Sequence, residues 1–219
     1  MFLVTSATEM EMAPFVRACQ DHDPRYRLIT GVGPLESTYS LTRRLAEDRS
    51  GIRGVLNFGI AGAYPLVNGD AGADLLDICV AELECIGDLG ICFDDRIETF
   101  AAEHVPVRTR FPLNQDLVVR AAGVLGEAGI TCHQGVFVTV CSVSGTARRG
   151  EIVASGLGGL CENMEGAAVA GVCDAFNLPL LELRCISNFV EDRDMSRWRL
   201  GEACEKAGMA AALVFRALG

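Results

Sequence analysis

Short apolar runs alternate along the chain with longer segments in which apolar residues recur at helical spacing. The short runs are typical of buried strands, and the longer segments are typical of amphipathic helices that pack on a sheet. The short runs predict strands at residues 2–5, 26–30, 54–58, 136–140 and 180–186. The longer segments predict helices at residues 11–19, 35–48, 165–176 and 195–218. Residues 75–91 are predicted to form one or two further strands, and residues 94–109 a loop.

This alternation predicts a three-layer α/β/α fold with a central mixed, largely parallel sheet that helices cover on both faces. The chain has 219 residues and no repeat, low-complexity segment or linker, so we expect a single domain over residues 1–219. Ligands of open α/β sheets bind beyond the carboxyl ends of the strands. Four segments, at Glu11, residues 59–62, Glu165 and Asn188, are predicted to meet at that rim.

The composition argues against membranes and nucleic acids as partners. Half of the residues are hydrophobic, but the apolar runs are far shorter than the roughly 20 residues that span a bilayer. The start of the chain does not resemble a secretory signal, so we expect a cytoplasmic protein. The net charge of -10 repels a phosphodiester backbone, and the 19 basic residues form no run longer than two.

Cysteine and glycine spacing argues against bound cofactors. The ten cysteines include no Cys-x-x-Cys pair and several lie in apolar runs, which indicates buried, reduced thiols. Three histidines without paired Cys/His spacing make a zinc site improbable. The chain contains neither a phosphate-binding G-x-x-x-x-G-K-[ST] loop nor a G-x-G-x-x-G dinucleotide motif. We expect neither a metal nor an organic cofactor.

Each rim segment has a structural explanation as well as a functional one. Gly59-Ile60-Ala61-Gly62 would let the backbone approach a ligand, or would form a simple tight turn. Glu165 follows Asn163-Met164 at the start of a helix, where the helix dipole alone favours an acid by about 0.3 to 1 kcal/mol. Asn188 belongs to a segment that a plain polar loop would also explain.

Glu11 has a structural alternative of its own. Thr8-Glu9-Met10-Glu11 fits a capping box, in which Glu11 only closes the helix N-terminus. Pro14 favours a helix that starts two or three residues after Thr8, because proline is tolerated in the first turn. Such a start would leave Glu11 freer to face the rim.

Together these segments resemble the family of purine nucleoside phosphorylases and methylthioadenosine/S-adenosylhomocysteine nucleosidases. The matching segments occur in the family's order at residues 6–11, 31–34, 57–63, 164–168 and 184–188. Residues 59–64, 162–168 and 187–188, followed by Arg193-Asp194 and Trp198, are similar to the futalosine hydrolase group of that family, which belongs to menaquinone biosynthesis. Residues from about 92 to 130 match only loosely.

The resemblance implies a site for purine N-ribosyl hydrolysis, which proceeds through an oxocarbenium-like sugar. Glu11 would activate the attacking water. Glu165, in the substrate-binding segment with Asn163 and Met164, would hold the ribosyl hydroxyls while Met164 packs on the sugar. Gly59, Ile60, Ala61 and Gly62 would line the nucleophile side of the site.

The resemblance also gives Asn188 the position that meets N7 and the 6-substituent of the purine. Adenine-cleaving members carry an aspartate there, whereas an amide can donate to a 6-oxo group. Asn188 therefore favours a hypoxanthine-type base, as in futalosine.

The same resemblance favours water over phosphate as the nucleophile. Phosphorylases of the family carry an arginine and a serine where this chain has Asn57 and Ile60. Three alternatives stay open: a phosphorylase, a nucleosidase of the methylthioadenosine or aminofutalosine type, and a catalytically silent nucleoside-binding protein. The expected partners are a small nucleoside, water and further copies of the chain, in a homodimer or larger assembly.

Overall fold

The computed structural model describes residues 1–65, 72–98, 100 and 107–218. The strands are β1 (Phe2–Ser6), β2 (Arg27–Ile29), β3 (Gly54–Ala63), β4 (Ile78–Ile86), β5 (Ile91–Cys92), β6 (Ile97–Glu98), β7 (Arg110–Pro112), β8 (Cys132–Thr139), β9 (Gly159–Asn163) and β10 (Leu180–Phe189). The α-helices are α1 (Glu9–Ala18), α2 (Pro34–Glu47), α3 (Gln115–Glu127), α4 (Ala147–Ser155), α5 (Gly166–Ala175) and α6 (Leu200–Leu218). Two 3₁₀ helices, Pro24–Tyr26 and Met195–Arg197, precede β2 and α6.

The strands form one large mixed sheet and a separate β5–β6 hairpin. The order in the large sheet is β10-β4-β8-β9-β3-β1-β2, with β7 paired to β4. β10 also pairs with β3, so five strands close into a ring. The pairs β1–β2, β1–β3, β3–β10, β4–β8 and β8–β9 are parallel, whereas β4–β10, β3–β9 and β4–β7 are antiparallel.

Side chains that alternate along the strands belong to two apolar layers, one on each face of the sheet. Leu181 and Leu183 of β10 pack with α1, α3 and α6, whereas Leu180 and Ile186 pack with α2 and α5. This alternation is the expected behaviour of a strand that is buried on both faces. At Gly208 the helices α1 and α6 approach closely, because a Cβ there would lie 2.8 Å from the backbone nitrogen of Phe15. The predicted α/β/α class with a mixed, largely parallel sheet is confirmed.

Several predicted element bounds are wrong. Residues 59–62 do not form a turn after the strand, since β3 continues to Ala63, and Asn188 lies within β10 rather than after it. Helices α3 and α4 and strand β9 were not predicted, and the final α-helix begins at Leu200. The predicted loop at 94–109 contains β6, and residues 99 and 101–106 of it lie outside the described part of the chain.

The helix α1 also starts earlier than the position of Pro14 suggested. Its N-cap is Thr8, and both halves of the capping box are formed, so Pro14 lies in the second turn.

Seven cysteines are buried and all ten are free thiols. Among the described residues, no helix is long and apolar enough to cross a membrane, and no group of three or more His, Cys, Asp or Glu side chains is arranged to hold a metal ion.

Candidate active site

A cavity of about 230 Å³ lies at the rim where the predicted segments meet. Eight of the nine predicted site residues line it, namely Glu11, Ile60, Ala61, Gly62, Asn163, Met164, Glu165 and Asn188. Gly59 is not among the lining residues. A Cβ at Gly59 would lie 2.5 Å from Glu11 Oε1 and 2.9 Å from Arg184 Nη1, so the glycine leaves room for these two charged groups.

Glu11 is both a helix cap and a wall of the cavity. Its Oε2 accepts hydrogen bonds from the backbone N–H and the hydroxyl of Thr8, at 2.9 and 2.8 Å. Its Oε1 accepts from the Ile60 N–H at 3.1 Å. The capping explanation and the rim explanation are therefore not exclusive. The cap holds the carboxylate against β3, at 4% exposure, in a fixed orientation.

Glu165 forms a buried ion pair with Arg184 at the same end of the cavity. Glu165 Oε2 lies 3.1 Å from Arg184 Nη1, and Glu165 Oε1 accepts from the Gly33 N–H at 3.0 Å. The guanidinium also donates to Glu182, from Nε at 2.9 Å and Nη2 at 2.8 Å. Burial disfavours its charge, yet Glu182, Glu165 and Glu11 raise the pKa of Arg184 above its ordinary value. Arg184 therefore stays cationic.

A further carboxyl, Glu84, lies fully buried near this ion pair. Its Oε1 accepts from Asn163 Nδ2 at 2.8 Å, and its Oε2 lies 2.8 Å from the Thr139 hydroxyl. The same hydroxyl lies 3.1 Å from Asn163 Oδ1 and accepts from the Ala167 N–H at 2.7 Å. One hydroxyl hydrogen cannot serve two acceptors. A proton on Glu84 resolves the conflict, because Glu84 then donates to Thr139 and Thr139 donates to Asn163.

The electrostatics of Glu84 agree with this assignment. Burial and the neighbouring Glu182 raise the pKa of Glu84 well above its ordinary value. Glu182 is the ionised partner, since it holds Arg184. The two carboxyl groups converge on Gly166, where a Cβ would lie 1.9 Å from Glu84 Oε1 and 2.8 Å from Glu182 Oε1. Any side chain at residue 166 would displace them.

Asn163 reaches the cavity wall, but its amide serves the protein backbone. Its Oδ1 accepts from the N–H groups of Glu165 and Gly166, at 2.9 and 2.8 Å. Its Nδ2 donates to Glu84. The amide therefore fixes the start of α5, and with it the position of Glu165.

The other end of the cavity is formed by neutral donors and one carboxylate. Asn188 Nδ2 donates to the Phe189 carbonyl at 3.0 Å, and Oδ1 accepts from the Ser187 hydroxyl at 2.8 Å. Because an amide nitrogen carries two hydrogens, one N–H of Asn188 stays available to a ligand. Glu162 and Ser144, which are hydrogen-bonded to each other, and Trp198 also line the cavity.

Sequence reasoning assigned no role to several of these residues, although a signal existed. Glu182 and Arg184 interrupt the apolar strand β10 two residues apart, and charged residues at such positions are rarely buried unless paired. That spacing predicts the ion pair that the structure contains. Glu84 also interrupts an apolar strand, and Glu162 lies in the 162–168 segment, but the partners of both residues are distant in sequence and could not be predicted from spacing.

Comparisons with known proteins agree with the fold. The sequence profile of the phosphorylase superfamily matches residues 24–218. A futalosine hydrolase of Thermus thermophilus is 33% identical over 215 residues, covering 93% of this chain and 90% of the relative. A 5'-methylthioadenosine/S-adenosylhomocysteine nucleosidase of Mycobacterium tuberculosis is 26% identical over 178 residues, covering 72% and 67%.

A solved structure supports the same assignment at the level of the fold. The native structure of futalosine hydrolase of Helicobacter pylori superposes with a TM-score of 0.81 at 21% identity, and the match covers 97% of this chain and 96% of that one. The chain belongs to the phosphorylase superfamily, as an enzyme of its nucleosidase group, which hydrolyses the N-glycosidic bonds of purine nucleosides.

Proposed function

We propose that this nucleosidase uses water to cleave futalosine, a 6-oxopurine nucleoside, and releases hypoxanthine and dehypoxanthine futalosine. The observation that carries the proposal is that a neutral amide, Asn188, lines the same cavity as the carboxylates Glu11 and Glu165. The free N–H of the Asn188 amide can donate to the 6-oxo group, whereas an ionised carboxylate there could only accept. The similarity to the futalosine hydrolase of Thermus thermophilus supports the same substrate.

In the proposed mechanism, Glu11 accepts a proton from the attacking water. Glu11 Oε1 and the Ile60 N–H lie against the cavity, so a water there would find an acceptor already oriented. Glu165 binds the ribosyl hydroxyls, and its negative charge stabilises the oxocarbenium-like sugar. Arg184 and Asn163 position Glu165 through its side chain and its backbone, respectively.

We call the part of the cavity with Glu11, Glu165 and Arg184 the sugar end. Its charges support water rather than phosphate as the nucleophile. Arg184 is the only basic side chain among the described residues that line the cavity. Its Nε, Nη1 and Nη2 atoms are all committed to Glu182, Glu165 and the Ile60 carbonyl. A phosphate would therefore approach two carboxylates without a free bidentate partner.

Chromatographic product analysis tests the proposed function. Futalosine, aminofutalosine, inosine and methylthioadenosine are each incubated with the enzyme, with and without phosphate. We expect futalosine to give hypoxanthine at the same rate in both buffers. A ribose-1-phosphate-type product, a requirement for phosphate, or cleavage confined to the 6-amino substrates would overturn the proposal.

A further inference from the structure

We call the part of the cavity with Asn188 and Glu162 the base end. Glu162 is a buried carboxylate there, and the proposed mechanism does not use it. Its side chain lines the cavity although the residue is only 6% exposed. The Ser144 N–H donates to Oε1 at 2.8 Å, and the Ser144 hydroxyl donates to Oε2 at 2.6 Å. The Tyr64 hydroxyl donates to Oε2 at 3.1 Å. These donors are neutral, so they orient the carboxylate without cancelling its charge.

The donors leave the carboxylate with capacity for one more hydrogen bond. A carboxylate has about four acceptor sites, and these three bonds occupy three of them. The remaining site belongs to Oε1, which accepts only from Ser144 among the described residues. Burial and the charge of Glu162 raise the pKa of Tyr64, so the tyrosine remains a donor.

Strand register places Glu162 and Asn188 on either side of a glycine. Gly62 of β3 pairs with Glu162 of β9 and, on its other side, with Asn188 of β10. Adjacent strands lie about 4.8 Å apart, so the two outer backbones are roughly 10 Å apart. Asn188 Nδ2 lies 3.0 Å from the position that a Cβ of Gly62 would take. Val190 Cγ2 lies at the same distance of 3.0 Å and closes this position, so the cavity beyond Gly62 is lined by the acceptor Glu162 from one strand and the amide donor Asn188 from the other.

This arrangement matches the edge of a 6-oxopurine. Such a base presents an N1–H donor beside the O6 acceptor, whereas a 6-aminopurine presents an N1 acceptor beside an amino donor. An ionised carboxylate can only accept. We propose that Glu162 is a specificity residue that accepts the N1–H of a 6-oxopurine while Asn188 donates to O6. This proposal rests on the proposed function. It extends the explanation of base specificity from Asn188 alone to Asn188 and Glu162 together.

The test compares Glu162→Gln with wild-type enzyme on futalosine and its 6-amino analogue. The substitution keeps the size of the side chain but offers N1–H an amide instead of an anion. We expect the ratio of kcat/KM for the 6-oxo substrate over the 6-amino substrate to fall by about 10-fold or more. An equal fall for both substrates would indicate a structural role and overturn the proposal.

Tyr64→Phe is the matched control. The substitution removes one donor to the same carboxylate, and Tyr64 is not among the residues that line the cavity. The ratio of kcat/KM for the two substrates should therefore stay within about threefold of wild type. A shift as large as that of Glu162→Gln would contradict the proposal, because it would trace the effect to the packing around Glu162.

A binding measurement keeps the proposal testable if the Gln variant does not fold. Calorimetry on wild-type enzyme compares hypoxanthine with 1-methylhypoxanthine, which lacks N1–H. We expect the methylated base to bind at least 10-fold more weakly, and equal binding would overturn the proposal. If wild-type enzyme does not cleave futalosine, the proposed function fails; if it does and the ratio is unchanged in Glu162→Gln, only the role of Glu162 fails.

Discussion

The two ends of the cavity are built on different principles. At the sugar end, Glu11, Glu165 and Arg184 are held by caps, ion pairs and backbone N–H groups, and their donors and acceptors are largely committed to one another. At the proposed base end, Asn188 keeps one N–H and Glu162 one acceptor site that no described residue uses. The comparison indicates that the sugar end resists change because its charges depend on each other, whereas the base end is open to changes of specificity.

Removal of the central cation should have the largest effect. Arg184→Met would leave Glu165 and Glu182 as uncompensated buried charges, so we expect the free energy of unfolding to fall by about 3 to 5 kcal/mol. Urea denaturation measures the change. Arg199→Met, which removes an exposed pair with Glu202, is the control and should have little measurable effect. Equal losses in the two variants would show that the sugar end does not depend on its buried charges.

Glu11→Gln should separate catalysis from capping. Glutamine can still close the capping box through its oxygen, but its amide nitrogen then faces the Ile60 N–H, so we expect the free energy of unfolding to fall by only about 1 to 3 kcal/mol. A general base contributes about 10²- to 10⁴-fold, so turnover should fall by roughly 100-fold or more. The measurement is steady-state kinetics on futalosine beside a thermal melt.

The control for this variant is Glu9→Gln, an exposed acid in the same helical turn. It changes the same charge at the same helix terminus and should keep normal turnover. Near-normal turnover in Glu11→Gln would show that Glu11 is not the general base and that its role is to close the capping box.

Asn188→Asp changes one atom at the base end and should reverse its preference. The carboxylate loses the donor to O6, so kcat/KM for futalosine should fall. It gains an acceptor for a 6-amino group, so aminofutalosine should lose less or improve. A mismatched polar group costs about 1 to 3 kcal/mol, which corresponds to a shift of about 10-fold or more in the ratio.

Asn177→Asp adds the same charge on an exposed turn and is the control for Asn188→Asp. Its ratio of specificity constants should equal that of wild type. If the two substrates respond equally to Asn188→Asp, then Asn188 does not distinguish the 6-position.

Glu84→Gln should have the smallest effect on activity and a visible effect on the pH dependence of stability. Because the pKa of Glu84 is raised in the folded protein, the folded state keeps a proton that the unfolded state releases near the ordinary glutamate value of 4.5. Stability therefore falls as pH rises above that value. Glutamine mimics the protonated acid, so the variant should lose less stability between pH 5 and pH 8.

The measurement is urea denaturation of both proteins at several pH values. Glu82→Gln, on the same strand but half-exposed, is the control and should follow wild type. A Glu84→Gln variant with an unchanged pH slope would mean that Glu84 is ionised in the folded protein.

The local pattern predicted the fold class and most of the site. Strand and helix alternation gave the α/β/α class, and the rim segments at Glu11, Met164-Glu165 and Asn188 do line one cavity. The bounds of β3 and β10 were predicted too short, because glycine and polar residues at their ends resemble turns. Both ends remain strand because they pair with each other and β3 also pairs with β9.

The sequence by itself determined which chemical groups the rim carries, since composition and short-range periodicity act within a few residues. Only the tertiary structure decided which groups form ion pairs and which share a proton in a hydrogen bond. Glu84 meets Asn163 across 79 positions of the chain, and Glu162 and Asn188 flank Gly62 only through the register of β3 with β9 and with β10. Strand register is set by packing over the whole sheet, so no local pattern encodes these contacts.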